Sequence, residues 1–495
     1  MASSVCQYAA LAVLVISGLA SATPLAGLRQ ANEAGGRGCA ALARAGLSEQ
    51  LSFPAEAEYN GTIESYYDGG VQDLSPRCVF KPETTQQVSD ALRTLSLEGG
   101  SCWSVAIRSG GHSVFPNNNA QNGVTIDLGR LNSVTYAEGP GSRKGHGTAS
   151  IGAGARWGNV YTVLEKEGVM VTGAREGHVG DLHGILDSMV VLANGTVVTA
   201  TATTHPDLWQ SLKGGLNNLG LVTRFDLGAF PSQDAYGGIV AYSYTQAQTL
   251  LEKFTSMVRR NKKDPAENGF LSFVWSPAAG RSATFVLANV DGIENSTSFS
   301  GLGDLEPLID TRSKTSISGL VRSLQGSLGL YNVWFTLTFH ASMSMGLKVL
   351  EVFESVTDDL DGTLGNSDQV IFLLTPLPIN YVNRGPNVLG LNDGGLSEDC
   401  MVLQAEALLS SPEHKALLAD KLSEAVEQTI NSYAVDTNQL LRWKYLNYAN
   451  PTQDVWSTIG DDKFLLGHTA ETFDPTGFFQ HRVNGGFKVS DSSDL

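Results

Sequence analysis

The chain has 495 residues, 42% of them hydrophobic, and a formal net charge of −17 from 50 acidic and 33 basic side chains. That length calls for more than one packed unit and can bury a large cofactor. With this acidity and no Lys/Arg-rich run to neutralise phosphates, nucleic acid is excluded as an expected partner.

Residues 1–22 read as a signal peptide, because the apolar stretch Tyr8 to Leu19 is followed by the small residues Ala20, Ser21 and Ala22. The competing reading, an N-terminal membrane anchor, meets a stretch that is short for a bilayer span, and no later segment is long enough to cross. Secretion is therefore expected, and Asn60, Asn194 and Asn295 each head a glycosylation triplet. Cys6 leaves with the signal, and Cys39, Cys78, Cys102 and Cys400 remain, an even count compatible with bridges in an oxidising compartment.

Residues 23–73 form a mixed, Gly/Ala-rich N-terminal segment. Regular periodicity then begins: Thr84 to Glu98 places Val88, Ala91, Leu92 and Leu95 on one helical face, with Thr84 and Gln87 as a capping box and Gly99-Gly100 as a stop. The strand Ser104 to Ile107 runs directly into Arg108-Ser-Gly-Gly-His-Ser113. Two glycines there let backbone N–H groups approach an anionic ligand, and the serines add donors, so the loop suits a pyrophosphate. A tight turn with a surface histidine accounts for the loop equally well when it is taken alone.

Gly123 to Leu128 and Thr148 to Gly154 read as further strands, and Trp157 to Glu167 as a helix. Gly152 and Gly154 precede that helix, but Gly158 comes one residue too late for the dinucleotide fingerprint, which rules out a Rossmann reading. Val190 to Val198 is a hairpin about Asn194-Gly195. The stretch Pro206 to Trp209, Lys213-Gly-Gly215, Asn217-Asn218 and Gly220 to Thr223 gathers turn formers and amides able to hydrogen-bond a nucleotide. No P-loop, H-E-x-x-H or G-x-S-x-G element is present, and His178 with His183 lacks the ligands of a metal site, so no metal is expected.

From Gly237 the pattern changes to longer alternating strands at 270–276, 283–290, 333–339 and 369–375, with amphipathic helices at 246–259 and 412–432, the latter capped by Ser411 with Pro412 at its first position. This describes a second, α+β unit over 233–440. After it the chain becomes aromatic-rich and non-repetitive, and residues 441–495 read as a tail that returns to line a site.

Taken in order, Pro76-Arg-Cys-Val, Arg108 to Ser113, Gly152-Ala-Gly154 with Trp157-Gly158, Gly173-Ala-Arg175, Val191 to Gly195, Pro206 to Trp209 with Lys213-Gly-Gly215, Tyr445-Leu-Asn-Tyr448, and Asp474-Pro-x-Gly-x-Phe479 before Gly485-Gly-Phe487 resemble the vanillyl-alcohol oxidase/PCMH flavoproteins. The resemblance is to the fungal members similar to berberine bridge enzyme and the carbohydrate oxidases, and it covers about residues 39 to 490. It implies an α+β fold with a PCMH-type FAD-binding domain of two α/β subdomains over 74–232, and a substrate domain whose antiparallel sheet is covered by helices. The tail becomes the C-terminal segment that returns to the flavin.

The resemblance further implies FAD, bonded through its 8α carbon to His112, with Arg108, Ser109, Gly110, Gly111, Ser113, Gly152, Gly154, Gly173, Gly215, Asn217 and Gly220 around the cofactor. Gly173 to Gly180 contains no cysteine, so a single covalent attachment is expected. It implies a Cys39–Cys102 disulfide, and roles for Tyr445 and Asn447 near the flavin ring, the tyrosine relaying the substrate proton and the amide orienting substrate or flavin. The family's glycine-rich turn, short helix and Y-G stretch have no counterpart here, since Gly180 runs almost directly into Asp181. Either coding sequence is missing at this point or the cofactor site is damaged.

The activity so implied is oxidation of an alcohol or activated C–H of a small-molecule substrate by hydride transfer to flavin N5, with dioxygen as acceptor, in fungal secondary metabolism. The alternatives are an oligosaccharide oxidase producing hydrogen peroxide and, from another class, a non-catalytic secreted binding relative.

Overall fold

A computed structural model describes residues 36–98, 103–139, 144–176, 185–381, 385–391 and 396–491. The expected signal peptide, Cys102, the stop at Gly99-Gly100 and the segment from His178 to His183 lie outside the described residues. Three sheets organise the rest.

The first sheet has four strands in the order Leu51–Ser52, Cys78–Phe80, Val124–Asp127, Val105–Arg108, the last three mutually parallel. Residues 51–52 pair with 78–80, so the N-terminal segment builds the edge of this sheet and is not set apart from it. The helix Thr85–Leu97 connects two of the parallel strands and buries Val88, Ala91, Leu92 and Leu95, the face its periodicity predicts. Its cap is reciprocal but displaced by one residue: Thr84 Oγ1 accepts from Gln87 N at 3.2 Å, while Gln87 Oε1 accepts from Glu83 N at 2.7 Å.

Cys39 bonds to Cys78, not to Cys102 as the resemblance implied. The cause is close packing of the helix at 36–44 on this sheet. A Cβ on Gly38 would lie 2.9 Å from both the Trp103 ring and Val124 Cγ2, and that approach sets buried Cys39 over the strand that opens with Cys78.

The second sheet is antiparallel: Val134–Glu138, Gly147–Gly152, Leu221–Pro231, Ile185–Val191 and Val197–Thr201, with the short Val169–Met170 added beside the long central strand. Its last hairpin turns at Asn194-Gly195, where Gly195 adopts φ +82°. The helix Trp157–Lys166 buries Trp157, Val160, Tyr161 and Leu164 against it.

The third sheet carries nine strands, all antiparallel, along the path Pro307–Asp310, Ala235–Ser243, Gly280–Asn289, Glu267–Ser276, Gln369–Leu377, Cys400–Leu409, Tyr331–His340, Leu440–Leu441, with Ser313–Thr315 off that path. One face packs on the helices Ala247–Arg260 and Met343–Asp359 and on the helical run 415–436. Phe335, Leu337, Phe339, Phe372, Leu403, Ala405 and Ala407 point into that core, so by the two-residue period of a strand Trp334, Thr336, Gln404 and Glu406 lie on the opposite face.

The expected helix at 412–432 begins only at Lys415. Pro412 sits in a preceding turn, its carbonyl accepting from Lys415 N at 3.1 Å, and a π-helical stretch Glu424–Ile430 interrupts the run before it ends at Asp436. The tail returns to the first sheet: Val105 N donates to Arg482 O at 2.8 Å and Asn484 N to Val105 O at 3.0 Å. Among the described residues no helix is long and apolar enough to cross a membrane, and no cluster of three or more potential ligands could hold a metal ion.

Asn60, Asn194 and Asn295 are all exposed. Their surroundings differ: Asn60 lies inside the helix Ala57–Glu64 with its triplet's Thr62 buried, whereas Asn194 occupies a hairpin turn.

Candidate active site

The strand Val105–Arg108 ends beside Asp127 of its parallel neighbour, and Arg108 turns inward. Its guanidinium, 2% exposed, donates to Thr62 O at 3.1 Å, to Ser65 O and Oγ at 3.2 and 2.7 Å, and to Asp127 Oδ2 at 3.3 Å, and it stacks over the Tyr66 ring at 4.1 Å. Arg108 thus supports the loop from behind. Gly111 has φ +70°, and a Cβ there would lie 2.6 Å from Arg108 Nε, so both the backbone conformation and the cation beneath require glycine. Ser109 Oγ donates to Ala153 O at 2.5 Å, and Ser113 Oγ to Phe115 O at 3.2 Å, which fixes both ends of the turn.

His112 is held on two sides. Its ring lies parallel to Tyr67, with centroids 3.9 Å apart and planes inclined by 15°, and its Nε2 is 3.6 Å from Glu176 Oε2. Tyr67 is buried, and burial together with the charges of Glu406 and Glu176 pushes its hydroxyl well above the usual phenol range. Arg156, just ahead of the helix Trp157–Lys166, donates to Gly110 O; burial and the like charge of Arg108 hold its guanidinium down to about 10. Ser65, Tyr67, Gly110, His112, Arg156 and Leu328 line a cavity of about 120 Å³.

This donor set fits the pyrophosphate side of FAD. One face of the turn carries no side chain because glycine is required there, and the guanidinium groups of buried Arg108 and half-buried Arg156 lie against it. Gly110, Gly111 and Ser113 would hold the phosphates, and His112 opens into the adjoining space.

Of the other residues expected at the cofactor, the glycines are each confined by the surrounding chain. Cβ atoms on Gly152 and Gly154 would fall 2.1 Å from Leu131 O and 1.8 Å from Leu128 O, and one on Gly173 would fall 2.2 Å from the Trp157 ring. Gly215 and Gly220 are similarly confined, by Ser211 O at 2.4 Å and Val190 Cγ1 at 2.6 Å. Asn217 binds the returning tail, donating to Asn484 O at 3.4 Å and accepting from Lys488 Nζ at 3.0 Å.

Beyond Tyr67 a row of rings leads away from the loop: Trp334 at 6.0 Å, then Tyr448 at 6.1 Å, Tyr445 at 4.8 Å and Trp443 at 5.7 Å, each from the ring before it. Asn447 Nδ2 donates to Tyr445 OH at 3.0 Å, so the Tyr-x-Asn pair expected near the flavin is formed, at the far end of this row. Nearer the loop, Arg175 donates to Tyr448 OH at 2.6 Å and to Thr375 Oγ1 at 3.3 Å, and it stacks over Phe270 at 4.4 Å. Glu406, on the face of the third sheet opposite the helical core, accepts from Gln404 at 2.6 Å. Burial pushes its carboxyl up to about 7, and the Arg175 charge limits the rise.

Tyr67, Glu176, Trp334, Gln404 and Glu406 were not singled out from the sequence. The alternation Leu403-Gln-Ala-Glu-Ala-Leu408 is the signal that could have found the last two, since it marks a strand with one polar face.

The chain matches a family model described as an FAD binding domain over residues 76–180. It is 31% identical to the FAD-dependent monooxygenase drtC of Aspergillus calidoustus over 507 aligned residues, covering 95% of this chain and 94% of that protein. Among solved structures it resembles Physcomitrella patens BBE-like 1 (TM-score 0.69, 18% identity, covering 90% of this chain and 99% of that one). It also resembles the xylooligosaccharide oxidase of Myceliophthora thermophila C1 in complex with xylobiose (TM-score 0.67, 16% identity, 91% and 99%).

Proposed function

This chain belongs to the FAD-linked oxidoreductases with a PCMH-type FAD-binding domain, and on that premise we propose that it oxidises an alcohol or an activated C–H group of a small metabolite in fungal secondary metabolism. The enzyme is an FAD-dependent oxidoreductase. FAD held at this site would supply the two-electron oxidant for that substrate, with dioxygen as the proposed final acceptor.

The observation that carries the reading is the continuity of the site. His112 is held by Tyr67 and Glu176 on the loop side, and ring contacts run from Tyr67 through Trp334 to Tyr448, where Arg175 donates. A cofactor held at the loop and a substrate laid along the third sheet would therefore share one space. In this reading Ser109, Gly110, Gly111 and Ser113 hold the pyrophosphate and His112 carries the flavin through one covalent bond to its 8α carbon. Tyr67 and Glu176 orient the imidazole, and the Tyr445–Asn447 pair closes the far end. We further propose secretion, on the apolar stretch before Ala22, and coding sequence missing between the codons for Gly180 and Asp181.

Acid precipitation of the purified protein tests the attachment. Flavin is expected to stay with the wild-type pellet and to be released from His112→Ala; release from both overturns the covalent bond. Genomic DNA tests the break after Gly180: an in-frame exon omitted there supports missing coding sequence, and an uninterrupted codon run overturns it.

A second reading, an oligosaccharide oxidase releasing hydrogen peroxide, draws on the likeness to the xylooligosaccharide oxidase and on the row of rings, which could stack sugars. Peroxide released from xylobiose would select it over the first.

A further inference from the structure

The strand Tyr331–His340 pairs with Cys400–Leu409 along its whole length, but on its other side Leu440–Leu441 reaches only Thr338 and Phe339. Main-chain groups left open on a buried edge need partners. Here side chains of the tail supply them. Asn450 Nδ2 donates to Trp334 O at 2.9 Å, Gln453 Oε1 accepts from Thr336 N at 3.0 Å, and Gln453 Nε2 donates to Thr336 O at 2.9 Å. The Gln453 amide thus makes with Thr336 both bonds that a residue of a neighbouring antiparallel strand would make.

Gln453 is 3% exposed, and its amide is used to capacity. Oε1 also accepts from Asn450 N at 3.1 Å, and the second Nε2 proton goes to Glu427 Oε1. A primary amide has two donors and two acceptor sites, so none is left over. Glu427 lies in the π-helical stretch Glu424–Ile430, a kind of interruption that is common where a side chain is presented to a functional site. An ionised carboxylate only accepts, so Glu427 dictates which way the amide is turned, and with it the match to Thr336. Lys444 Nζ approaches Glu427 Oε2 at 3.9 Å, but the carboxylate is one-third exposed and the pair is long, so it contributes little.

We propose that Gln453 and Glu427 are positioning residues of the active site. Gln453, oriented by Glu427, fixes the loop 445–450 on the strand that carries Trp334. It thereby sets the separation of 6.1 Å and the edge-to-face angle of 87° between Trp334 and Tyr448, which together bound the space beside the third sheet. The same clamp brings Tyr448 OH to within 2.6 Å of Arg175. Loss of the amide would free the loop at Thr336 and leave it attached to this strand through Asn450 alone, with Tyr448 two residues away. The proposal rests on the oxidoreductase reading above for the use made of that space, and names the residues that give it its width.

Near-ultraviolet circular dichroism of the flavin-loaded enzyme reports the setting of the rings without requiring turnover. Well below the unfolding temperature, Gln453→Ala and Glu427→Met should change this spectrum while the far-ultraviolet spectrum stays that of wild type. Glu427→Gln still offers Gln453 an acceptor, and Lys444→Met removes only the long ion pair, so both should match wild type. In a Trp334→Phe background most of the change caused by Gln453→Ala should disappear, as a double-mutant cycle requires of residues acting through one contact. Hydrogen exchange at the Thr336 amide should be about tenfold faster in Gln453→Ala, the order expected for one lost hydrogen bond. Phe335 and Leu337, whose N–H groups face the other neighbouring strand by the alternation of the ladder, should keep their rates.

If Gln453→Ala fails to fold, Glu427→Met, at a partly exposed position, carries the same comparison. A wild-type near-ultraviolet spectrum in a variant that has lost only thermal stability overturns the proposal and leaves the clamp as an anchor of the tail. A spectral change of equal size with and without Trp334 also overturns it. Visible flavin absorbance in the same samples tests the cofactor reading separately: its absence from wild type defeats that reading, while the comparison of ring geometry still stands.

Discussion

The guanidinium of Arg108 lies 3.3 Å from the carboxylate of Asp127, and the two residues stand opposite one another in adjacent parallel strands. Both side chains are nearly buried, so the pair anchors the end of the strand from which the glycine loop departs. Removing one member leaves the other charged and desolvated, a loss of about 3–5 kcal/mol. Arg108→Met is therefore expected to lower the midpoint of chemical denaturation and the flavin content together. A variant that loses flavin with unchanged stability would instead place Arg108 in direct contact with the cofactor.

Tyr67 lies flat against His112, and its hydroxyl is not needed for that contact. Tyr67→Phe should leave covalent flavin incorporation close to wild type. Tyr67→Ala removes a parallel ring pair worth about 0.5–1.5 kcal/mol and frees the imidazole to rotate, so the fraction of flavin retained after acid precipitation should fall severalfold. Equal retention in both variants would show that Glu176 alone sets the ring.

The sequence showed the glycine loop because turn formers punctuate a strand within six residues, a local signal. It hid the other half of the site because that half is assembled across the chain: Arg175 meets Tyr448 from 273 positions away. Glu406 was missed for a related reason. Its strand alternates polar and apolar residues as a solvent-facing strand would, and only the packing shows that the polar face is covered by the rings of the site. The disulfide illustrates the same limit, since four cysteines allow three pairings and spacing does not choose among them. Most helices and strands were legible by period, whereas the late start at Lys415 follows from Pro412 being used in a turn.

Burial raises the Glu406 carboxyl from 4.5 to about 7, and this makes the stability of the protein depend on pH in a definite direction. The folded state binds the proton more tightly than the unfolded chain, so this contribution is fully present below about pH 4.5 and is lost as pH rises through about 7. At about 1.4 kcal/mol per unit, the difference is on the order of 3 kcal/mol. Glu406→Gln mimics the protonated form and should match wild type at pH 5 while exceeding it in thermal midpoint at pH 8. A variant less stable than wild type at pH 8 would mean that the charged carboxylate is the better-satisfied form.

Gly154 distinguishes a glycine kept for the chain from one kept for a ligand. A Cβ at this position would lie 1.8 Å from Leu128 O and 2.5 Å from the Leu128 carbonyl carbon, backbone atoms that follow directly on the Asp127 strand. The neighbour cannot rotate away as a side chain would, and relief requires moving the strand that holds Arg108 through Asp127. Overpacking of this kind costs about 1–3 kcal/mol, occasionally more, when the surroundings are rigid. Gly154→Ala should therefore unfold at lower denaturant even in flavin-free protein, with Gly152→Ala close behind because its Cβ would meet Leu131 O at 2.1 Å. If instead flavin-free Gly154→Ala matched the flavin-free wild type in stability and differed only in cofactor affinity, the glycine would belong to the cofactor site that the family resemblance implied.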